Sequence, residues 1–332
     1  MGWTAAQWGL DVGSSSTVVY DLSGGFLLDE PSLMLEMPHG GGTGIGRDAA
    51  DLMERLPSAA GAVRPVRAGV VTDLDTARRY IRAVVRRILP RPWQRSRLSV
   101  ALVVPAAASA LERRALVEAA EEAGIGRVVA LAAPVAAAVG CGLDPLDRRA
   151  HMVADVGAGT AEIMAVCYGE VLAVRSTRQA GDALTAAVRH HLRTEHRLLT
   201  GPAAAEALTR QVGLAQPDAR LAVSGRDVEH ARPRSLQIPA AELHDLVAAH
   251  VAAVAQVLSS CLDDLPAQAV DDIAADGVLL VGGSSPARGL KAALESGLGL
   301  PVKQAENPVT CIAEGAARSL VLPDVRSVFG LR

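Results

Sequence analysis

Residues 8–20 read W-G-L-D-V-G-S-S-S-T-V-V-Y, and residues 151–167 read H-M-V-A-D-V-G-A-G-T-A-E-I-M-A-V-C. Each run is an apolar strand that ends at an aspartate, Asp11 or Asp155, followed by a turn of small residues and a second β-branched, apolar strand. That pattern predicts a β-hairpin. Its return 144 positions later in the same D-V-G frame predicts two similar lobes. Turns without bulky side chains let consecutive backbone amides close around phosphate oxygens. Gly13, Ser14, Ser15 and Ser16 form one such turn, and Gly157, Ala158, Gly159 and Thr160 a second. Gly282, Gly283, Ser284 and Ser285 form a third, after the apolar strand V-L-L-V. One Gly/Ser turn alone is usually an ordinary hairpin turn, whereas three in order, two of them preceded by aspartate, point to a polyphosphate. Asp11 and Asp155 then face each other across a cleft, where two hard carboxylates hold a hydrated Mg²⁺. The plain alternative for each is a turn cap.

Outward from the hairpins the chain alternates strand and helix. Residues 70–89 carry apolar side chains at Leu74, Ala77, Ile81, Val84, Val85 and Ile88, with Arg78, Arg82 and Arg86 on other faces, which predicts an amphipathic helix. Residues 98–104 read as a buried strand stopped by Pro105. Ser109 and Glu112 have capping-box spacing for a helix that runs to Gly124. A short strand at 128–131 and an Ala-rich helix at 135–139 follow. Further helices are predicted at 183–195, 203–212, 240–262 and 290–298, with a polar section at 217–236 and a buried strand at 278–283. Such alternation predicts an α/β fold with parallel sheets covered on both faces.

Composition narrows the function. The 332 residues are half hydrophobic and 21% charged, enough for a large core and, at about 150 residues per domain, for two domains. A net charge of −3 argues against a nucleic-acid partner, and eight aromatic rings are too few for a single-strand stacking surface. Only Lys291 and Lys303 are lysines among 33 cations, which reads as the codon bias of a GC-rich genome. Cys141, Cys167, Cys261 and Cys311 are widely spaced and show no metal-ligand spacing, so they read as reduced, buried small hydrophobes of a cytoplasmic protein. No run of 18 uninterrupted apolar residues and no secretory leader are expected from this sequence.

Further motifs join the hairpins: D-E-P-S at 29–32, G-R-D-A at 46–49, R-P-V-R-A-G-V-V-T-D at 64–73, V-P at 104–105 and E-R-R-A at 112–115. G-D at 181–182, R-G-L at 288–290 and N-P-V-T-C-I-A-E-G at 307–315 complete the set. With these the chain resembles, along essentially its whole length, the bacterial actin homologue MreB of the wider actin, Hsp70 and sugar-kinase fold. The resemblance implies an actin-like fold of two similar lobes and four subdomains around an interlobe nucleotide cleft. Lobe I would comprise 1–140 plus 308–332, with a small subdomain at about 30–66, and lobe II 141–307, with a small subdomain at about 182–243. It implies ATP as cofactor, with Mg²⁺ on Asp11 and Asp155. Phosphates would lie on Gly13, Ser14, Ser15, Ser16, Gly157, Ala158, Gly159 and Thr160. Adenosine would lie on Glu206, Thr209 and the turn Gly282, Gly283, Ser284 and Ser285. The implied partners are further copies of the chain in a filament, the inner face of the cell membrane and cell-wall synthesis proteins, with cell shape as the outcome.

Four departures bear on the chemistry. The family's Glu-Glu-Pro, whose second carboxylate positions the attacking water, reads Ala132, Ala133, Pro134 here. A methyl group cannot orient or deprotonate water, and losing such a group costs about 10² to 10⁴-fold in rate. Thr160 is retained as the water-positioning, catalytic candidate, while Ala158, Ala161 and Thr209 replace the usual Gly, Thr and Lys. ATP binding with slow or absent hydrolysis is the expectation. The alternative is a non-polymerising pseudo-ATPase that regulates or adapts the cell-wall machinery. A small-molecule kinase lacks its sugar-site cluster, and an Hsp70 lacks residues for a substrate-binding domain. Trp3 and Trp93 are the membrane-contact candidates. Trp93 lies in a Pro-broken loop near Arg82, Arg86, Arg87, Arg91, Arg95 and Arg97, and indole and cations both favour an anionic leaflet. Trp8, just before the first strand, reads as core.

Overall fold

A computed structural model describes residues 6–36, 43–55, 62–216, 218–287 and 289–330. Both quoted runs form hairpins: Gln7–Val12 pairs antiparallel with Ser16–Asp21, and His151–Val156 with Ala161–Cys167. Each hairpin is continued by a third antiparallel strand, Gly25–Pro31 or Glu170–Thr177. On its other side each leading strand takes a parallel neighbour, Ser99–Val104 or Val278–Val281, and then a second, Arg127–Ala132 or Val302–Gln304. The two five-stranded sheets therefore have one topology. Their leading strands share even the burial pattern, with Asp11 and Asp155 half-buried at the fifth position of each. The sheets are mixed rather than parallel as predicted. A three- or four-residue turn can only return the chain antiparallel, whereas a helical crossover is needed for a parallel neighbour.

The helices follow their patterns closely. Leu74–Ile88 begins at Asp73, whose side chain accepts from the Thr76 amide, and not at residue 70. Val70–Val71 instead pairs with Val66–Arg67 in a small ribbon. The buried face of this helix includes Tyr80, whose hydroxyl donates to Thr17 at 2.8 Å. Ala110–Glu122 carries the predicted capping box between Ser109 and Glu112, and Gly124 at φ +95° takes the chain out of it. Gly181–Glu195, Pro202–Leu214, His244–Asp263 and Leu290–Leu298 occupy the other predicted positions. The polar section 217–236 is largely sheet: Arg220–Asp227 pairs with Pro233–Pro239, and Leu198–Leu199 adds a third strand. The run Ala240–Asp263 is long and apolar enough to cross a bilayer, yet Val247, Val251, Val254 and Leu258 lie in the core around the second sheet.

One apolar core surrounds each sheet, and a third joins them, bringing Ala101 and Leu131 of the first sheet together with Val153, Met164 and Leu279 of the second. At its centre the helices Ala133–Gly140 and Cys311–Ser319 cross in backbone contact. A Cβ on Gly140 would fall 1.9 Å from the Cys311 carbonyl oxygen, and one on Gly315 1.8 Å from that of Ala136. Only glycine admits that approach. All four cysteines are free; Cys261 and Cys311 are buried as read, whereas Cys141 and Cys167 are half-buried.

Candidate functional site

The equivalent ends of the two leading strands face one another across a cavity of about 430 Å³. Asp11, Gly13, Ser14, Ser15 and Ser16 line it from the first lobe, and Asp155, Gly157, Ala158, Gly159 and Thr160 from the second. Glu206, Thr209, Gly282, Gly283 and Ser284 line it as well. Ser285 departs from the expectation: it is buried beneath the turn, with its hydroxyl unpaired among the described residues. Gly157 donates its amide to Thr160 and closes the second turn, as Gly13 does to Ser16 in the first. Among the described residues the amides of Ser14, Ser15, Ala158 and Gly159 donate to no protein acceptor. Unpaired amides in two facing turns are donors that suit an anion with several oxygens.

The electrostatics complement those amides. Burial pushes the Asp11 carboxyl up to about 7. Asp155 is raised well above the ordinary carboxylate range, first by burial and then by the like charges of Glu162 and Asp11. Carboxyls so reluctant to ionise would be relieved by a cation between them, and hard oxygen ligands suit Mg²⁺. The residues present therefore fit a magnesium polyphosphate.

A profile of the MreB/Mbl protein family matches residues 5–326. The chain belongs to the MreB/Mbl family. The cell shape-determining protein MreB of Escherichia coli (strain K12) is 29% identical over 324 residues, spanning 95% of this chain and 93% of that one. The fold matches MreB5 of Spiroplasma citri bound to ADP with a TM-score of 0.87 at 23% identity, over 98% of each chain. It matches the MamK double helical filament with a TM-score of 0.78 at 20% identity, over 95% of this chain and 98% of that one. The α/β, two-lobed, actin-like architecture read from the sequence is thereby established.

Within this MreB/Mbl cleft, Glu162, Asp182, Arg64 and Arg210 matter although the sequence reading gave them no role, and Glu206 and Thr209 make contacts it did not foresee. Glu162, 1% exposed, reaches from the second sheet to the loop after Val104, where its two oxygens accept the amides of Ala106 at 2.8 Å and Ala107 at 3.2 Å. A glutamate inside the apolar strand A-E-I-M-A-V-C was the available signal. Glu206 faces the cavity but accepts a hydrogen bond from Ser15 Oγ at 2.7 Å, with Arg64 at 3.6 Å and Arg210 also on its carboxylate. Burial opposes its ionisation, and the Ser15 hydroxyl and Arg210 outweigh that, holding the carboxyl below its ordinary value. Asp182 lines the cavity and is pushed up by burial, against the pull of Arg64. Thr209 turns its hydroxyl back to the Ala205 carbonyl at 2.8 Å.

Ala133 lines the cavity at the start of its helix and brings no carboxylate there. Glu162, another carboxylate of the cavity wall, has both oxygens committed to amides. Thr160 sits under the ribbon 66–71, its methyl group 3.0 Å from where a Gly69 Cβ would lie. Of the tryptophans, Trp8 is core, and Trp3 lies outside the described residues. Trp93 is 43% exposed on a one-turn helix, Pro92–Arg95, where an irregular loop was predicted; the Arg97 guanidinium lies 6.0 Å from its ring. The basic cluster is thinner than its sequence. Arg95 is buried on the carbonyls of Leu89 and Pro90, and Arg87 pairs with Glu30, whereas Arg86, Arg91 and Arg97 are exposed.

Proposed function

We propose that this MreB/Mbl-family chain binds ATP with Mg²⁺ in the interlobe cleft and assembles into filaments on the inner face of the cell membrane, where they organise cell-wall synthesis and cell shape. The observation that carries the reading is the pair of facing turns with unpaired amides, each headed by an aspartate whose ionisation burial opposes. Asp11 and Asp155 hold the metal, largely through water. Ser14, Ser15, Ala158 and Gly159 hold phosphates through their main chain, and Glu206 with the turn Gly282, Gly283 and Ser284 borders the adenosine. The bound cation neutralises phosphate charge. Nucleotide in the solved MreB5 and the filament formed by MamK support both halves of the reading. Hydrolysis is slow, because Ala133 supplies no carboxylate to the attacking water and Thr160 alone remains to position it. Calorimetric titration with Mg-ATP, followed by electron microscopy with ATP and with a nonhydrolysable analogue, tests the reading. Heat of binding and filaments in both conditions are expected, and no uptake of any magnesium nucleotide by folded protein overturns it.

Ala133 also favours a second reading, a non-polymerising pseudo-ATPase regulator or adaptor; nucleotide uptake without filaments would select it. For the membrane, Trp93 and the exposed Arg86, Arg91 and Arg97 are the contact, each cation being worth about 1 kcal/mol near an anionic leaflet. Sedimentation with anionic liposomes should carry down the wild type and leave much of Trp93→Ala in solution. Equal pelleting removes that contact.

A further inference from the structure

Away from the cleft, three side chains converge that no part of the nucleotide chemistry uses. His191 lies in the last turns of the helix Gly181–Glu195, His196 caps that helix, and Glu242 lies on the 3-10 turn Ala240–Leu243 that leads into His244–Asp263. His191 Nε2 is 2.8 Å from Glu242 Oε1, and His196 Nε2 contacts the same oxygen. The three ligand atoms lie within 4.8 Å of one another. The side chains are 22%, 26% and 29% exposed, so the group is sheltered yet open to solvent on one side.

Two imidazole nitrogens and one carboxylate oxygen gathered this closely are the donor set of a zinc site that keeps a fourth position for water. Bond lengths of about 2.0–2.2 Å from Zn²⁺ to such ligands would be reached by a small swing of the carboxylate out from between the rings. The backbone that carries His196 is anchored. Arg234 Nη1 donates to the His196 carbonyl at 3.0 Å, and the Val228 amide donates to that of Arg197, where the chain turns at φ +54°.

We propose that His191, His196 and Glu242 bind one divalent transition-metal ion of the zinc class. The ion ties the end of the helix Gly181–Glu195 to the start of the long helix His244–Asp263. The other end of the first helix touches the second phosphate turn, through the Gly181 amide on the Gly157 carbonyl. Occupancy therefore braces an element that bears on the cleft from about 20 Å away, the length of a 15-residue helix.

The test uses tag-free full-length protein, stripped with a chelator and titrated with Zn²⁺ and with Co²⁺ in the absence of nucleotide. We expect one equivalent of Zn²⁺ per chain and a visible Co²⁺ ligand-field spectrum without a near-ultraviolet thiolate band, which separates this site from the cysteines. Affinity should fall at least about tenfold in His196→Ala and again in Glu242→Gln. Far-ultraviolet circular dichroism and the denaturant midpoint of the metal-free protein, unchanged in either variant, report an intact fold. If His196→Ala does not fold, Glu242→Gln, which keeps the carboxylate's shape, carries the same comparison. Zinc uptake that survives Glu242→Gln undiminished, a thiolate band, or no uptake by the wild type at micromolar metal overturns the assignment.

Discussion

The two hairpins that face the cleft hold the same place in two sheets of the same topology, but side chains and main chain share the task of securing them differently. The first turn has one main-chain tie to a neighbouring strand, the Ser32 amide on the Ser15 carbonyl at 2.8 Å, and is otherwise tied down through side chains and a long arginine. Ser14 Oγ accepts the Gly69 amide at 3.3 Å, the Ser14 carbonyl accepts Arg64 at 2.6 Å, and Ser15 reaches Glu206 across the cleft. The second turn is secured mostly by main chain: the Gly181 amide donates to Gly157 and the Asp182 amide to Ala158, with Ser284 Oγ adding a bond to the Gly157 carbonyl at 3.0 Å. Side-chain contacts across a cleft can be exchanged for a ligand at little cost, whereas main-chain contacts within one lobe fix the turn's shape. The Ser15–Glu206 contact is thus the tie that a ligand can replace, while bonds within each lobe keep both turns in shape. The aspartates differ in step: burial raises Asp11, whereas burial and then the like charge of Glu162, its partner on the paired strand, raise Asp155.

The largest effect should come from restoring what the first lobe lacks opposite the fixed second turn. Ala133→Glu places a carboxylate on the cavity wall, and single-turnover ATP cleavage should rise about 10² to 10⁴-fold, with binding little changed. An unchanged rate would mean that Thr160 or the closed ribbon, not the missing carboxylate, limits hydrolysis. Next in size is Asp155→Asn. Removing one partner of a buried charge pair costs about 2–5 kcal/mol, so affinity for Mg-ATP should drop about a hundredfold or more by calorimetry. The nucleotide-free protein should meanwhile gain stability, because one of three neighbouring acids has gone. A variant that binds as tightly as the wild type would move the metal away from the second lobe.

How much of this was legible follows the range of the interaction. The hairpins were readable because a strand, a tight turn and a strand are local, and Asp11 and Asp155 announced themselves by ending apolar runs. The capping box at Ser109 and Glu112 is local in the same way. The ribbon at Val66–Val71 was absorbed into a helix because Val70 and Val71 fit either period, and only the cap at Asp73 decides where the helix starts. The sheet at Arg220–Asp227 and Pro233–Pro239 was read only as polar, because many of its side chains are exposed and few apolar residues mark its inner face. Within the cleft, the contacts of Ser15 with Glu206, 191 positions apart, and of Glu162 with the loop after Val104 depend on how the lobes close. No motif spacing encodes that.

A pH series probes the aspartates without altering the turns. An unfolded aspartate titrates near 3.8 and folded Asp11 at about 7, so between these values the folded chain holds a proton that the unfolded chain has released. Stability from this group is present at low pH and is lost as pH rises through 7. Compared with Asp11→Asn, the wild type should therefore lose on the order of 2–4 kcal/mol between about pH 4 and about pH 8 in the absence of nucleotide. Denaturant midpoints for the two proteins across that range measure it. With Mg-nucleotide bound, the gap between them should shrink at high pH, since the cation favours the ionised carboxylate. Parallel curves without nucleotide would show that Asp11 ionises as easily as a solvated aspartate.

The smallest effect is the most direct probe of the difference between the turns. Ser15→Ala removes one hydrogen bond to a carboxylate that keeps Arg64 and Arg210, so the nucleotide-free protein should lose only about 1 kcal/mol. If the first turn holds phosphate through its main chain, the Ser15 hydroxyl is a latch on the empty cleft, and the affinity of Ser15→Ala for Mg-ATP should stay within about threefold of the wild type. Glu206→Gln should give a similar loss of latch energy, together with any weakening due to its place beside the adenosine. A tenfold or larger loss of affinity in Ser15→Ala would instead mean that the hydroxyl leaves Glu206 to bind the phosphate itself. The first turn would then differ from the second in its ligand chemistry, and not only in how it is anchored.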